Sequence, residues 1–325
     1  MRYTRSTNDS PRARLLMIWL SLLAALVLTS CNETSGDPEG PTVSQRVSQK
    51  FGHELLSSED QAPLEGHETM MRLVKEYNEV ETDPDGRSVM SIDGRELDAK
   101  NGTRTWASFV NGIETDPFPS EYKLYPGDLV QWDLRDWYIT LDVRATVGAF
   151  PEFFTRGFNG ELMPVWVRCE DKASTPCRHV KETLRAAGVK LGGKRRPTKR
   201  SDDENPFAYV SRVLVGKWSH WRDRPWPDRI TRGPRYSGIF ARFSPDSDEL
   251  RLLDWNAHFS RAETGDVGLV AAMRPTEQDF MWMVTGTTDK GVMAAARALD
   301  RNRLRDAYAL AVLPDGDEKL PVEPR

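Results

Sequence analysis

An α+β chain is predicted, with one folded unit over residues 43–151 and a second over 152–325 whose sheet is largely antiparallel. Three observations predict it. Short runs rich in Val, Ile, Trp, Tyr and Phe recur between Asn-Gly, Pro-Gly-Asp and Asp-Gly turns, as strands do. A few other stretches space their apolar residues three and four apart, the period of a half-buried helix. At roughly 150 residues per domain, a chain of 325 residues suggests two.

The first residues set the compartment. Arg2, Arg5, Arg12 and Arg14 precede an apolar run over 15–28, and Leu28-Thr29-Ser30-Cys31 is a small-residue cleavage site ending in cysteine, the pattern of a bacterial lipoprotein signal. The apolar run is shorter than the ~20 residues of a spanning helix. Residues 1–30 are therefore expected to be removed, Cys31 to carry lipid (palmitate among it), and the protein to sit on the extracytoplasmic face of the cell membrane. Loss of four arginines against one aspartate leaves the chain more acidic than its overall net charge of −4. An acidic protein outside the cell is not expected to meet nucleic acid. Residues 31–42, rich in Gly, Pro, Thr, Ser and acidic side chains, read as a flexible tether.

Residues 43–51 are expected as a first strand, followed by a helix over 68–80 in which Met70, Met71, Val74 and Tyr77 turn toward the core. Asp83-Pro84-Asp85-Gly86 and Asp93-Gly94 are turn chemistry, without the alternating oxygen ligands of a calcium loop. Trp106, Phe109 and Val110 open a strand that stops at Asn111-Gly112, a dipeptide suited to positive φ. Tyr125-Pro126-Gly127-Asp128 reverses the chain again, and residues 129–137, with Trp132 and Trp137, form the next strand.

Beyond Pro151, residues 162–169 read as a strand. A helix follows with Thr175 as its N-cap, Pro176 in its first turn and Gly188 past its end. Cys177, Val180, Leu184 and Ala187 share one buried face. With Cys31 lipidated, Cys169 and Cys177 remain as a pair and are expected to form a disulfide worth roughly 2.5 kcal/mol in the chain-entropy model. Residues 190–206 carry a basic block and then an acidic one, the pattern of a solvated loop. Residues 207–218 form a strand leading into a segment dense in Trp and Arg, 219–226. Strand pairs follow at 238–243 with 249–255 and at 265–273 with 280–286. Asp289 is expected to cap a helix with Val292, Ala295, Ala296 and Leu299 on one face, and a hairpin over 308–322 closes the chain.

Trp106-x-x-Phe109-Val110-Asn111-Gly112-Ile113-Glu114, Tyr122-Lys123-Leu124-x-Pro126-Gly127-Asp128 and Trp132-Asp133-x-Arg135-Asp136-Trp137 together resemble the bacterial family of transcobalamin C-terminal-like domains. Lys50-Phe51-Gly52-His53-Glu54 and Val89-Met90-Ser91-Ile92-Asp93-Gly94 fit upstream in order, so the resemblance covers residues 43–151. It implies a small β-grasp-like domain, a sheet curled over one helix. In animal carriers the related domain closes over a corrin ring. Bacterial members occur in secreted and lipid-anchored proteins. The large helical barrel that completes the carrier's site has no counterpart in this sequence, so a fold so inherited does not bring its ligand with it.

Enzymes need a nucleophile, a tuned acid–base pair or a metal. The five histidines, at 53, 67, 179, 220 and 258, show no metal-ligand spacing, and no Gly-x-Ser-x-Gly, P-loop or dinucleotide pattern occurs. Asp254 and His258 would lie on one face of a strand as a surface contact. No catalytic residue, metal site or cofactor is expected. The favoured expectation is a binding module that presents Trp106, Phe109, Asn111, Tyr122, Asp128, Trp132, Asp136 and Trp137 to a small planar or amphipathic ligand. A corrinoid-like ligand is implied by the resemblance alone. The alternative is an envelope scaffold in which the Trp/Arg segment meets another protein or a wall polymer.

Overall fold

Strand pairing organises the chain, and alternation along the strands decides which faces are apolar. The computed structural model describes residues 40–65, 68–98, 103–115, 118–140, 144–193 and 209–325. The signal segment, Cys31, most of the tether and residues 194–206 of the charged loop lie outside those residues.

The first half runs β1 (Thr42–Gln49), β2 (Glu54–Pro63), α1 (Met70–Tyr77), β3 (Val80–Thr82), β4 (Val89–Ile92), β5 (Arg95–Glu96), β6 (Arg104–Val110), β7 (Ile113–Glu114) and β8 (Leu129–Asp136). Five of these strands form a sheet in the order β2-β1-β8-β6-β7, with β1 parallel to β8. Thr69 caps α1, its side chain accepting from the Arg72 amide. Met70, Leu73 and Val74 of that helix pack on Val47, Trp106, Val110, Val130 and Trp132 from one face of the sheet. β3, β4 and β5 form a small separate sheet.

The other face of this sheet is polar yet covered. Arg46, Ser48, Gln131, Asp133 and Arg135 are all buried, so each requires a partner. Asp133 accepts from the amides of Phe51 and Gly52, from Ser48 Oγ and from Tyr308 Oη. Arg46 pairs with Asp60 and, at 3.5 Å, with Asp306. Tyr308 and Asp306 belong to the second half, so a hydrogen-bonded layer joins the halves here.

That second half runs α2 (Glu152–Thr155), β9 (Val165–Cys169), α3 (Thr175–Ala186) and β10 (Val210–Lys217), then three single-turn helices, α4 (Trp218–Trp221), α5 (Asp228–Thr231) and α6 (Pro234–Ser237). There follow β11 (Ala241–Phe243), β12 (Glu249–Leu253), β13 (Phe259–Thr264), β14 (Gly268–Met273), β15 (Asp279–Gly286), α7 (Asp289–Arg297), α8 (Arg301–Leu304), β16 (Ala309–Leu313) and β17 (Gly316–Leu320). A six-stranded sheet has the order β17-β16-β14-β15-β10-β9. β9, β10 and β15 are parallel and the other pairings antiparallel. One face carries α3 and α7 over Val213, Val215 and Trp282. The other carries the sheet β11-β12-β13 and Phe240.

The fold is α+β. The two large sheets lie on either side of residue 151, whereas the cores cross it: Ile113 and Ala145 share a cluster with Phe280 and Trp282, and Phe109 shares one with Phe240 and Tyr308. Gly40–Arg325 packs as one unit.

Cys169 and Cys177 are bonded, with Cα atoms 5.9 Å apart, tying the end of β9 to the first turn of α3. Two caps move by one residue. Ser174, not Thr175, caps α3 by accepting from the Cys177 amide, and Thr288, not Asp289, caps α7 by accepting from Gly291. Asp254 lies past the end of β12, where Oδ1 accepts from the amides of Asn256 and His258. The His258 side chain is 78% exposed, so the pair fastens a turn instead of sharing a strand face.

Candidate functional site

Between Arg104 and Ser108, β6 runs along the rim of the first sheet, because β7 pairs only with Phe109 and Val110. A cavity of about 470 Å³ follows this rim. Trp106 and Trp132 form one flank with Val89, Met90 and Leu97, and Trp137 stands at the edge, 41% exposed. Arg135, Arg144 and Arg274 form the other flank with Glu114 and Glu277. Ser108 and Thr115, hydroxyl to hydroxyl at 2.6 Å, lie between.

Local sequence places these groups. Asn111 at φ 52° and Gly112 at φ 75° make the tight turn that returns the chain as β7. A Cβ on Gly112 would sit 2.9 Å from the Thr146 carbonyl oxygen, so glycine is required on both counts. The turn brings Glu114 opposite Phe109 and next to Arg135 of β8. Alternation in β8 sends Trp132 to the α1 face and Arg135 to the opposite one.

The cationic flank is anchored. Arg135 pairs with Glu114 and lies 5.3 Å over the Phe109 ring. Arg274 donates to the Glu277 carbonyl oxygen at 2.8 Å and lies over the rings of Phe158 and Phe280. Arg144 reaches Glu277 Oε1 at 3.1 Å. Burial pushes the Glu114 carboxyl above the usual carboxylate range, against the opposing pull of Arg135, Arg144 and Arg274. Three guanidiniums facing two carboxylates leave one positive charge in excess. On the aromatic flank, Trp132 is 1% exposed and its Nε1–H has no hydrogen-bond partner among the described residues. Buried donors are almost always satisfied, so this one is an opening for an acceptor.

Of the eight residues expected to bind, Trp106, Trp132 and Trp137 converge on the cavity. Phe109 lies beneath Arg135 in the core. Asn111 and Asp128 are spent on each other: Asn111 Nδ2 donates to Asp128 Oδ1 at 2.8 Å and to the Gly157 carbonyl oxygen at 3.0 Å, and Asp128 Oδ2 accepts from the Tyr125 amide. Burial raises the Asp128 carboxyl. Tyr122 packs on Phe158 and accepts from the Asn159 amide. Asp136 caps a turn by accepting from the Tyr138 amide. Arg144, Arg274 and Glu277 had no signal in the sequence, since their approach depends on loops far apart in the chain. Among the described residues no three His, Cys, Asp or Glu side chains converge as metal ligands.

No protein-family model matches the chain, and no curated protein matches it.

Proposed function

We propose that the chain is an extracytoplasmic, lipid-anchored binding protein that captures a small ligand, part planar and part anionic, in the cavity along β6. One observation carries the proposal: indoles and a buried unsatisfied N–H line the same space as three guanidiniums with one charge in excess. The size lies within the roughly 300–1,000 Å³ of small-ligand pockets. Indole faces stack on planar groups, and an excess buried charge favours one anion over a neutral analogue. The export signal and the Cys169–Cys177 bridge support a site outside the cytoplasm. The sheet folded over α1 is in keeping with a β-grasp-like, transcobalamin-like unit. A corrinoid would leave much of its bulk outside a cavity of about 470 Å³, so a ligand of a few fused rings is the better fit.

The test is a titration of tryptophan fluorescence with 2-naphthoate and with 2-naphthamide, which share a ring system and differ in charge. Naphthoate is expected to bind at least tenfold more tightly. Equal affinities, or no response to either, would remove the proposal. Added cobalamin, followed by its visible spectrum after gel filtration, tests the corrinoid reading separately.

A further inference from the structure

A second concave surface lies along β9, away from the cavity on β6. It encloses about 780 Å³. Arg168 and Arg212 rise from its strand floor, Lys172 and Lys181 come from the α3 side, and Arg224 comes from the Trp/Arg segment that follows α4. Among the described residues no carboxylate lines it. Arg212 is held at 2.6 Å by Asp279 and lies between the indoles of Trp166 and Trp226, 5.7 and 5.2 Å from their centroids. The other four cations have no ion pair among the described residues. Their gathering does not follow from general basicity, because the whole chain carries a net charge of −4.

The backbone here is also committed to an unusual shape. Trp226, between Pro225 and Pro227, sits at φ 82°, a conformation rare for a bulky residue and of the kind that persists at binding sites. That strain holds an indole over Arg212 at the floor of the groove.

We infer that this groove binds a linear phosphate-bearing polyanion, its successive anionic groups meeting Arg168, Arg224, Lys172 and Lys181, with Arg212 as the fixed anchor. Phosphate is favoured over carboxylate by the directions of approach. Cations enter from the sheet, from the α3 side and from the segment after α4, and a row of tetrahedral groups, each with oxygens pointing several ways, can meet them in turn, whereas a planar carboxylate suits a single guanidinium fork. The groove and the cavity on β6 share none of their lining residues, so either can be lost without the other.

The experiment is calorimetric titration of the full chain with linear polyphosphate of about 15 units. Orthophosphate, poly-L-glutamate and an oligothymidylate of matched charge serve as comparisons. Polyphosphate is expected to bind most tightly, with a log–log salt slope of roughly −2 to −3 for four contacts at about 0.7 each. Lys172→Ser/Lys181→Ser and Arg168→Ser/Arg224→Ser should each weaken it at least tenfold. Lys75→Ser/Lys319→Ser, which removes the same charge elsewhere, should stay within twofold. Equal losses in the groove and control pairs, or no binding at all, overturn the site. Poly-glutamate or oligothymidylate binding as tightly as polyphosphate overturns the ligand class.

Discussion

The cavity on β6 and the groove on β9 both gather arginines, and they treat them in opposite ways. Along β6 the guanidiniums are paired with carboxylates, and the side chains of Arg135 and Arg274 are only 5% and 8% exposed. Along β9, four of five cations have no ion pair among the described residues, and no described carboxylate lines the groove. A buried, compensated cation is part of the fold, and losing it strands its partner. A solvated, uncompensated one contributes little to folding and much to attraction at a distance. The same residue type is therefore tied into the fold in one region and left to the solvent in the other.

The largest consequence concerns stability. Arg135→Ala removes the buried guanidinium paired with Glu114 and should cost about 3 kcal/mol in denaturant unfolding. Lys172→Ala should stay within about 0.5 kcal/mol. Similar losses in the two variants would erase the distinction. Next comes the bridge beside the groove: Cys169→Ser/Cys177→Ser should cost about 2–4 kcal/mol, read from the same curves. Salt separates the regions by affinity. Raising it from 50 to 200 mM should weaken polyphosphate roughly 15- to 65-fold at a slope of about −2 to −3, while naphthoate binding in the screened cavity should change less than threefold.

Acid tests the paired set. The Arg46 guanidinium bonded to Asp60 holds that carboxyl below its ordinary value. Its stabilisation is present above the unfolded pKa near ~3.9 and fades as pH falls toward and through the folded one. Asp60→Asn should thus flatten the fall in melting temperature between about pH 5 and pH 2; an unchanged slope would show that Asp60 takes no part. Glu114 has the opposite sign. Its pKa is raised, so its term is most favourable at low pH and is lost as pH climbs from the unfolded value near ~4.3 through the folded one. Among the substitutions, the smallest effect on binding is expected of Trp132→Phe, which keeps a ring and removes the unsatisfied N–H. Naphthoate should weaken a few-fold, with about 1–3 kcal/mol of stability lost to the void under α1, and unaltered affinity would assign that donor no role.

What was legible in the sequence is what local chemistry decides. Hydroxyl caps stand ahead of helical periods, so the starts of α3 and α7 were readable to within a residue, whereas α1, expected over 68–80, is shorter at both ends, Met70–Tyr77. Cys169 and Cys177 were readable by count. β2 was not, because Glu54-Leu55-Leu56-Ser57-Ser58-Glu59-Asp60 lacks alternation and becomes a strand only by pairing with β1. β13 was hidden for the same reason, with Ser260-Arg261-Ala262-Glu263 set against β12. Asn111 and Asp128 suggested polar contacts for a ligand, and the fold satisfies each with the other. The cationic flank was invisible because Arg274 reaches the backbone of Glu114 across 160 positions.

The placement of β1 bears on when the first sheet is completed. It is flanked on one side by β8, and Ser48 finds Asp133 only after a sequence separation of 85. The Asp133–Tyr308 bond must wait for 175 more. Closing such distant contacts is entropically slow. The buried polar layer around Asp133 is therefore completed only after nearly the whole polypeptide has been made, although β1 can already pair with its neighbour β2.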